Sequence, residues 1–319
     1  MRKSKDFRSW LAPCLRAFTA LKHAGGCDYG TQQTMLLEFD RYVHRHVKAP
    51  FSSAALMDYL KAKSHLVPRS RDNVVALLWQ ALAYAKRHGA SVMDLPPRPP
   101  KPMFCVNRHH PRILTEAEFG VLLSAAARLS PMDSYRPVTT TTILGLLWTT
   151  GLRIGEALAL DVGDIDFHDR LLTVRAGKFG KDRVLPLKNS TAAALDKYLH
   201  HPLRENSASC SAPLFISMRG RRLCIGSFRG TFKQSWAMAA LPGPRPRLHD
   251  LRHAFAVHRV AGWYVAGVDV NARLPALSTY LGHVSVENTR LYLVANGSLL
   301  EAASARFARG TVALDGGRP

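Results

Sequence analysis

A run of prolines near residue 100 constrains this chain more than any other feature. The segment from Leu95 to Pro102 has the sequence LPPRPPKP, in which five of the eight residues are proline. Proline lacks an amide hydrogen and clashes with the preceding helical turn, so no helix can pass through this segment. We therefore predict an extended, stiff linker that ends a first domain, residues 1–103, and precedes a second, residues 104–319. A length of 319 residues is ample for two domains.

The residues before the linker have the spacing of amphipathic helices. Apolar residues recur every three or four positions around Phe39 and again around Leu78, and Pro50 and Pro68 separate the pieces. We predict that residues 7–90 are helical.

The residues after the linker predict further helices and one hairpin. Thr115 and Glu118 have the spacing of a capping box that begins a helix, and the hairpin pairs residues 171–174 with residues 183–187 around glycines. Helices are predicted at 139–160, with Arg153 near a glycine bend, and at 190–200, 226–240, 249–262, 273–282 and 285–292. The expected fold class is mainly α with a small antiparallel β-sheet (α+β).

The charge of the chain indicates a polyanionic partner. Lys and Arg total 44 against 23 Asp and Glu, a net charge of +21. Residues 1–103 hold 17 of the basic and 7 of the acidic residues, so the excess is shared between both halves. A field of this sign attracts nucleic acid, and its presence on both halves suggests that both touch the same polyanion.

The cysteines and the hydropathy indicate a cytoplasmic protein. The five cysteines have no short paired spacing, and an odd count without a framework favours reduced thiols. Arg16 and Lys22 interrupt the segment after the basic start, so a secretory signal is not expected. No segment approaches the ~20 apolar residues that a membrane helix needs.

The second half carries a set of cationic residues followed by one tyrosine, spread over four short motifs: TGLRIGEAL at 150–158, GKFGKDRVLPL at 177–187, HDLRHAF at 249–255 and LGH at 281–283, with a tyrosine nine positions later. Two arginines, a lysine and two histidines could surround one phosphodiester, and a phenol could attack it. The candidate catalytic residues are Arg153, Lys178, His249, Arg252, His283 and Tyr292.

Residue types and spacing support roles for these candidates. His249 and Arg252 share one face of a helix, near the N-terminal end, where backbone amides favour an anion. Arginine can donate two hydrogen bonds to a phosphate while keeping its charge, and Arg153 supplies a second such group. Tyr292 is the candidate nucleophile, activated by nearby cations and a histidine, and Lys178 is the candidate general acid.

Residues 112 to about 310 resemble the catalytic domain of the tyrosine recombinases, the phage integrase family, because all four motifs occur in the family's order. Residues 1–103 resemble in place and character the family's helical, SAM-like core-binding domain. The resemblance implies a 3′-phosphotyrosyl link at Tyr292 with no metal, ATP or other cofactor. Glu156 and His253 would support the site. His283 follows Arg252 by 31 positions, a longer separation than in compact members of the family, and the extra residues, 262–270, resemble those of integrases from mobile elements.

The resemblance also implies the partners. Relatives clamp double-stranded DNA at specific recombination sites between their two domains and work as tetramers, exchanging a C-terminal segment between subunits. Basic residues expected to line the DNA are Lys61, Lys63, Arg69, Arg71, Lys86, Arg87 and Lys181.

Several alternatives stay open at this point. Lys181 is a rival to Lys178, and Tyr264 and Tyr280 compete with Tyr292, whereas His258 is expected in the core or on the surface. A cluster of four aspartates could suggest a metal site, but we favour a solvated turn at these residues instead. They are Asp161, Asp164, Asp166 and Asp169. The competing functions are a DNA-binding protein that has lost catalysis and a metal-dependent nuclease.

Overall fold

The computed structural model describes residues 6–98, 111–175, 182–204 and 209–282. The chain divides into two compact units, Met1–His109 and His110–Pro319. None of the helices in the described ranges is long and apolar enough to cross a membrane.

Between residues 6 and 98, the described part of the first unit, four helices surround one apolar core. They are α1 (Ala12–Ala24), α2 (Gly30–His46), α3 (Ser53–Ala62) and α4 (Pro68–Arg87). Phe39 lies at the centre, with the rings of Phe51 and Tyr59 packed edge-on against it at 5.6 and 5.1 Å between centroids. Pro68 is the first residue of α4, a position where the missing amide costs nothing. The helical prediction for this half of the chain is confirmed.

The start of the proline-rich segment packs on this first unit. Residues 95–98 have neither helix nor strand, and the Trp79 indole donates a hydrogen bond to the Pro96 carbonyl at 3.1 Å. Leu95 lies against the apolar core. The remaining residues of the predicted linker, 99–102, lie outside the described ranges.

The second unit contains seven described helices and a three-stranded sheet. The helices are α5 (Glu116–Ala126), α6 (Tyr135–Thr150), α7 (Ile154–Ala159), α8 (Asn189–Leu199), α9 (Ile225–Ala239), α10 (Leu248–Val265) and α11 (Val270–Leu281). The strands are β1 (Ile165–Asp166), β2 (Leu171–Val174) and β3 (Arg183–Pro186), antiparallel in that order. This is the predicted class, mainly α with a small antiparallel sheet, and Thr115 and Glu118 form the predicted capping box on α5.

The helix expected at 139–160 is two helices rather than one, so that prediction is wrong. Helix α6 ends at Thr150, and Gly151 follows with φ +64°, a left-handed conformation that ends helices and favours glycine. Helix α7 begins three residues later, and Arg153 caps it from outside the helix. The break matters because it places Arg153 at the start of α7 rather than inside a continuous apolar helix.

Replacing Gly151 with alanine should destabilise the second unit by about 2–5 kcal/mol. The left-handed backbone costs a side chain about 1–2 kcal/mol, and a Cβ there would lie 2.6 Å from the Phe255 Cδ1, which forces about 1–3 kcal/mol of repacking. Urea denaturation would measure the change. Gly145→Ala, inside α6 with nothing within 4 Å of its Cβ position, is the control and should be neutral or stabilising. Equal effects at both positions would contradict the argument.

The residues between Arg252 and the end of α11 are mostly helical. Helix α10 continues to Val265, three residues beyond the predicted end, and α11 begins at Val270 rather than 273. Asp269 caps α11 by accepting hydrogen bonds from the Asn271 and Ala272 amides. The long spacing to residue 283 is therefore taken up by an extended helix and a short connection.

The acidic cluster after α7 divides into two parts: Asp166 and Asp169 are exposed, as expected of a solvated turn, whereas that expectation is wrong for Asp164. This residue is 5% exposed, accepts a hydrogen bond from the Asp161 amide at 2.9 Å and pairs with the Arg175 guanidinium. Asp161 pairs with Arg222. Within the described residues, no group of three His, Cys, Asp or Glu side chains is arranged to hold a metal ion.

Candidate functional site

Arg153 lies at the junction between α6 and α7, and a glutamate three residues later holds it. The Arg153 amide donates to Glu156 Oε2 at 2.9 Å, and its Nη1 donates to Oε1 of the same carboxylate at 2.6 Å. Its Nη2 donates to the Gly282 carbonyl at 3.4 Å, so the site includes the end of α11. The Arg153 side chain is 28% exposed, which leaves it accessible to a ligand.

Glu156 is shared between two arginines. Arg183, the first residue of β3, donates from Nη1 and Nη2 to the two Glu156 oxygens at 3.2 and 2.8 Å. Burial alone would raise the pKa of Glu156, but hydrogen bonds from Arg183 and from the Arg153 backbone, with the charges of both arginines, lower it to about 2. The carboxylate is therefore ionised at any pH at which the protein would work.

Arg252 is buried beneath the same junction. Its side chain is 0% exposed. Nη1 donates to the Gly151 carbonyl at 2.9 Å and Nη2 donates to the Leu281 carbonyl. Nη1 also lies 4.0 Å from Glu156 Oε2. One guanidinium thus connects the turn after α6, helix α10 and the last residue of α11.

Two histidines lie beside these arginines on α10. The rings of His249 and His253 meet edge to face, with centroids 4.8 Å apart. Burial and the nearby Arg252 and Arg153 charges lower the pKa of His249 to about 4. Burial, then the charge of His249, lowers the pKa of His253 to about 3. Both are neutral near pH 7, so His249 is in a form that can accept a proton.

The structure brings five of the predicted residues together and leaves others outside its description. Arg153, Glu156, His249, Arg252 and His253 converge where α7, α10 and the end of α11 meet. The predicted residues outside the described ranges are Lys178, Lys181, His283 and Tyr292, and the helix predicted at 285–292 lies outside them too.

Two of the undescribed segments adjoin described residues near the site. Residues 176–181, which include Lys178, follow β2 and precede β3, whose residues Val174 and Arg183 pair. His283 directly follows Gly282, whose carbonyl accepts a hydrogen bond from Arg153.

The rival side chains have structural contacts. The Tyr280 ring stacks on Phe255 with centroids 5.6 Å apart, and burial raises the pKa of its hydroxyl. A His258 ring nitrogen lies 2.8 Å from the Leu114 carbonyl, and its ring packs on Trp148. His258 therefore supports the core, as its sequence context suggested.

Arg183 is a site residue that the sequence does not reveal. It occupies a β-like run, which predicts only that it begins a strand. Its signal was available only as a charged residue in a strand that is otherwise apolar, RVLP. Nothing local indicates that it binds Glu156, which lies 27 residues earlier.

The basic residues expected to touch DNA in the first unit differ in their surroundings. Lys61, Lys63 and Lys86 pair with Asp58, Glu38 and Asp94, and the Lys63 side chain is only 14% exposed. The exposed arginines in this set are Arg69, Arg71 and Arg87.

Comparison with known proteins identifies the family. The model of the phage integrase family matches residues 112–298. The chain is 35% identical to y4rE, a candidate integrase/recombinase of Sinorhizobium fredii, over 98% of both chains. The chain belongs to the phage integrase family of tyrosine recombinases. A second relative, the tyrosine recombinase XerD of Mycobacterium tuberculosis, is 35% identical over 66% of this chain and 64% of its own length.

Solved tyrosine recombinase structures share the fold. The Tn1549 transposon integrase in complex with transposon right end DNA has a TM-score of 0.64 at 18% identity, covering 92% of this chain and 99% of that one. The XerH recombinase bound to its difH substrate, in the post-cleavage complex, has a TM-score of 0.63 at 20% identity, covering 86% and 78%. At these identities the likeness concerns the fold, and the family implies an enzyme that breaks and rejoins DNA.

Proposed function

We propose that this tyrosine recombinase is a site-specific integrase of a mobile element that cleaves and rejoins DNA through a 3′-phosphotyrosyl intermediate. The observation that carries the proposal is the convergence of Arg153 and Arg252 on Glu156, with neutral His249 close enough to feel the charges of both guanidinium groups. Positive charge and a proton acceptor therefore lie in one region. A transferring phosphodiester needs both.

The proposed reaction balances without an added reagent. The Tyr292 oxygen attacks the scissile phosphorus and its proton leaves to a base, for which His249 is the candidate. The bond to the 5′ oxygen breaks, and Lys178 protonates that oxygen to give a free 5′-hydroxyl. A 5′-hydroxyl from a partner strand then attacks the phosphotyrosine and releases the tyrosine, so the diester is conserved.

Side chains supply the charge that this transition state needs. Arg153 would bind the phosphate and stabilise the negative charge of the phosphorane more than that of the starting diester, which is the condition for catalysis. Arg252, buried beneath the same junction, would add its positive charge from that position, and His283 would donate to a non-bridging oxygen. Because these cations belong to the protein, we propose that no metal ion or nucleotide cofactor takes part. Glu156 and His253 would position the arginine and His249.

The partners follow from the same proposal. Double-stranded DNA at a specific recombination site is the substrate, and residues 1–103 act as its core-binding domain, with Arg69, Arg71 and Arg87 as the exposed candidates for phosphate contacts. Residues 104–319 act as the catalytic domain. We propose a homotetramer on DNA with exchanged C-terminal segments, working in the cytoplasm of a bacterial cell.

Trapping on a nicked site tests the function. The substrate is a duplex from the ends of the element that carries the gene, nicked so that the freed strand diffuses away after cleavage. We expect a protein–DNA adduct that survives denaturing detergent and forms in EDTA. Binding without an adduct would favour a protein that has lost catalysis, and cleavage that EDTA abolishes would favour a metal-dependent nuclease. Either result would refute the proposal.

A further inference from the structure

Arg183 is bound on three sides by parts of the candidate site. Besides its two bonds to Glu156, at 3.2 and 2.8 Å, its Nε donates to the Tyr280 carbonyl at 3.1 Å. The side chain is only 12% exposed. A planar guanidinium can satisfy a carboxylate with two parallel bonds while a third N–H reaches elsewhere, so one residue joins β3, α7 and the end of α11.

Arg183 also packs against the turn that follows α11. Gly282 has φ +66°, and a Cβ on it would lie 3.0 Å from Arg183 Nη1. The carbonyl of the same glycine accepts the Nη2 hydrogen bond of Arg153. The position of this turn, and through it the position of Arg153, therefore depends on the Arg183 guanidinium.

The charges around Glu156 give this arrangement a chemical consequence. One carboxylate lies among Arg153, Arg183 and, at 4.0 Å, Arg252, so the group keeps a net positive charge. If a neutral side chain replaced Arg183, the Glu156 carboxylate would no longer be shared and would interact mainly with Arg153. A neutral pair of Arg153 and Glu156 would attract a phosphate much less, because the carboxylate would cancel the field of the guanidinium.

We propose that Arg183 is a positioning residue of the recombination site. It binds the Glu156 carboxylate, so that the positive charge of Arg153 remains available to the scissile phosphate. It also connects β3, the strand that follows Lys178 in the chain, to the turn that precedes His283. This inference rests on the proposed function. Arg183 itself touches Glu156 and the backbone at the end of α11 rather than the reacting atoms, so its effect is exerted through Arg153.

The test compares Arg183→Gln and Arg183→Lys with a matched arginine that is hydrogen-bonded to the other end of α7. Arg222 donates to the Leu158 and Leu160 carbonyls at 3.0 and 2.9 Å, at the end of α7 remote from Arg153, so Arg222→Gln is the control. Single-turnover adduct formation is measured on two nicked duplexes, one with the ordinary scissile phosphate and one with an uncharged methylphosphonate. DNA affinity and thermal unfolding are measured for each full-length variant.

We expect Arg183→Gln to form the adduct about 10²-fold more slowly than wild type, the size of effect that misplacing a catalytic group causes. Arg183→Lys keeps the charge but cannot make both Glu156 bonds and the Tyr280 bond, so it should be slower by about tenfold. DNA affinity should be unchanged, and Arg222→Gln should match wild type in rate. On the methylphosphonate duplex the defect of Arg183→Gln should shrink by about tenfold, because an uncharged diester needs less from Arg153.

The outcomes separate this inference from the function it rests on. Failure of wild type to form an adduct, or an adduct that persists in Tyr292→Phe, refutes the proposed function. A wild-type adduct together with equal rates for Arg183→Gln and Arg222→Gln refutes the positioning role alone. An equal defect on both duplexes also refutes it, since a purely structural loss is indifferent to phosphate charge. If Arg183→Gln does not fold, a folded Arg183→Lys with the wild-type rate refutes the role in its place.

Discussion

Replacing Tyr292 with phenylalanine is expected to abolish the covalent protein–DNA adduct while leaving DNA affinity unchanged. The substitution removes one oxygen atom, and without that nucleophile the phosphotyrosyl bond cannot form. Removing a nucleophile that forms a covalent intermediate lowers turnover by about 10⁴-fold or more. The adduct on a nicked duplex, resolved under denaturing conditions, is the measurement, and a binding titration on the same duplex reports affinity.

Tyr280→Phe is the matched control for this experiment. Tyr280 lies close to the site in sequence and in space, but its ring stacks on Phe255 and burial raises the pKa of its hydroxyl, which disfavours the phenolate. We expect Tyr280→Phe to form the adduct at close to the wild-type rate. Loss of the adduct in Tyr280→Phe, with an intact adduct in Tyr292→Phe, would show that Tyr280 is the nucleophile and overturn the assignment of Tyr292.

Replacing Arg252 with alanine should both destabilise the second unit and stop cleavage. The guanidinium is fully buried and donates to the Gly151 and Leu281 carbonyls. Its removal leaves two buried acceptors without this donor and opens a cavity beneath the junction, a combined cost of about 3–5 kcal/mol. Urea denaturation of the full chain followed by tryptophan fluorescence measures this change.

Arg259→Ala is the control for stability, and lysine is the control for chemistry. Arg259 is an exposed residue of the same helix whose guanidinium lies over the Phe255 ring, a contact worth about 0.5–1 kcal/mol. Arg252→Lys keeps a positive charge but cannot donate to both carbonyls. It should therefore unfold at a lower temperature than wild type and cleave DNA slowly. An Arg252→Ala protein within about 1 kcal/mol of wild type would show that the guanidinium does not hold the two turns together.

The local parts of the site could be predicted from sequence because they depend on residues a few positions apart. Arg153 and Glu156 are three residues apart, as are Thr115 and Glu118, and both pairs form the contact that this spacing favours at a helix start. The strands flanking Lys178 were visible as short β-like runs. The break after Thr150 is hard to predict from sequence, because the apolar residues on either side of Gly151 continue one pattern across the turn.

Sequence alone determined the family, the class of fold and the order of the candidate catalytic residues, since short motifs in a given order carry that information. The tertiary structure decided the rest. It placed Arg183 on Glu156 and on the Tyr280 carbonyl, 97 residues away, and it buried Arg252 between carbonyls that lie 101 and 29 residues from it. The physical reason is that such contacts arise from the packing of whole helices, and packing depends on every side chain of the core rather than on a spacing within one motif.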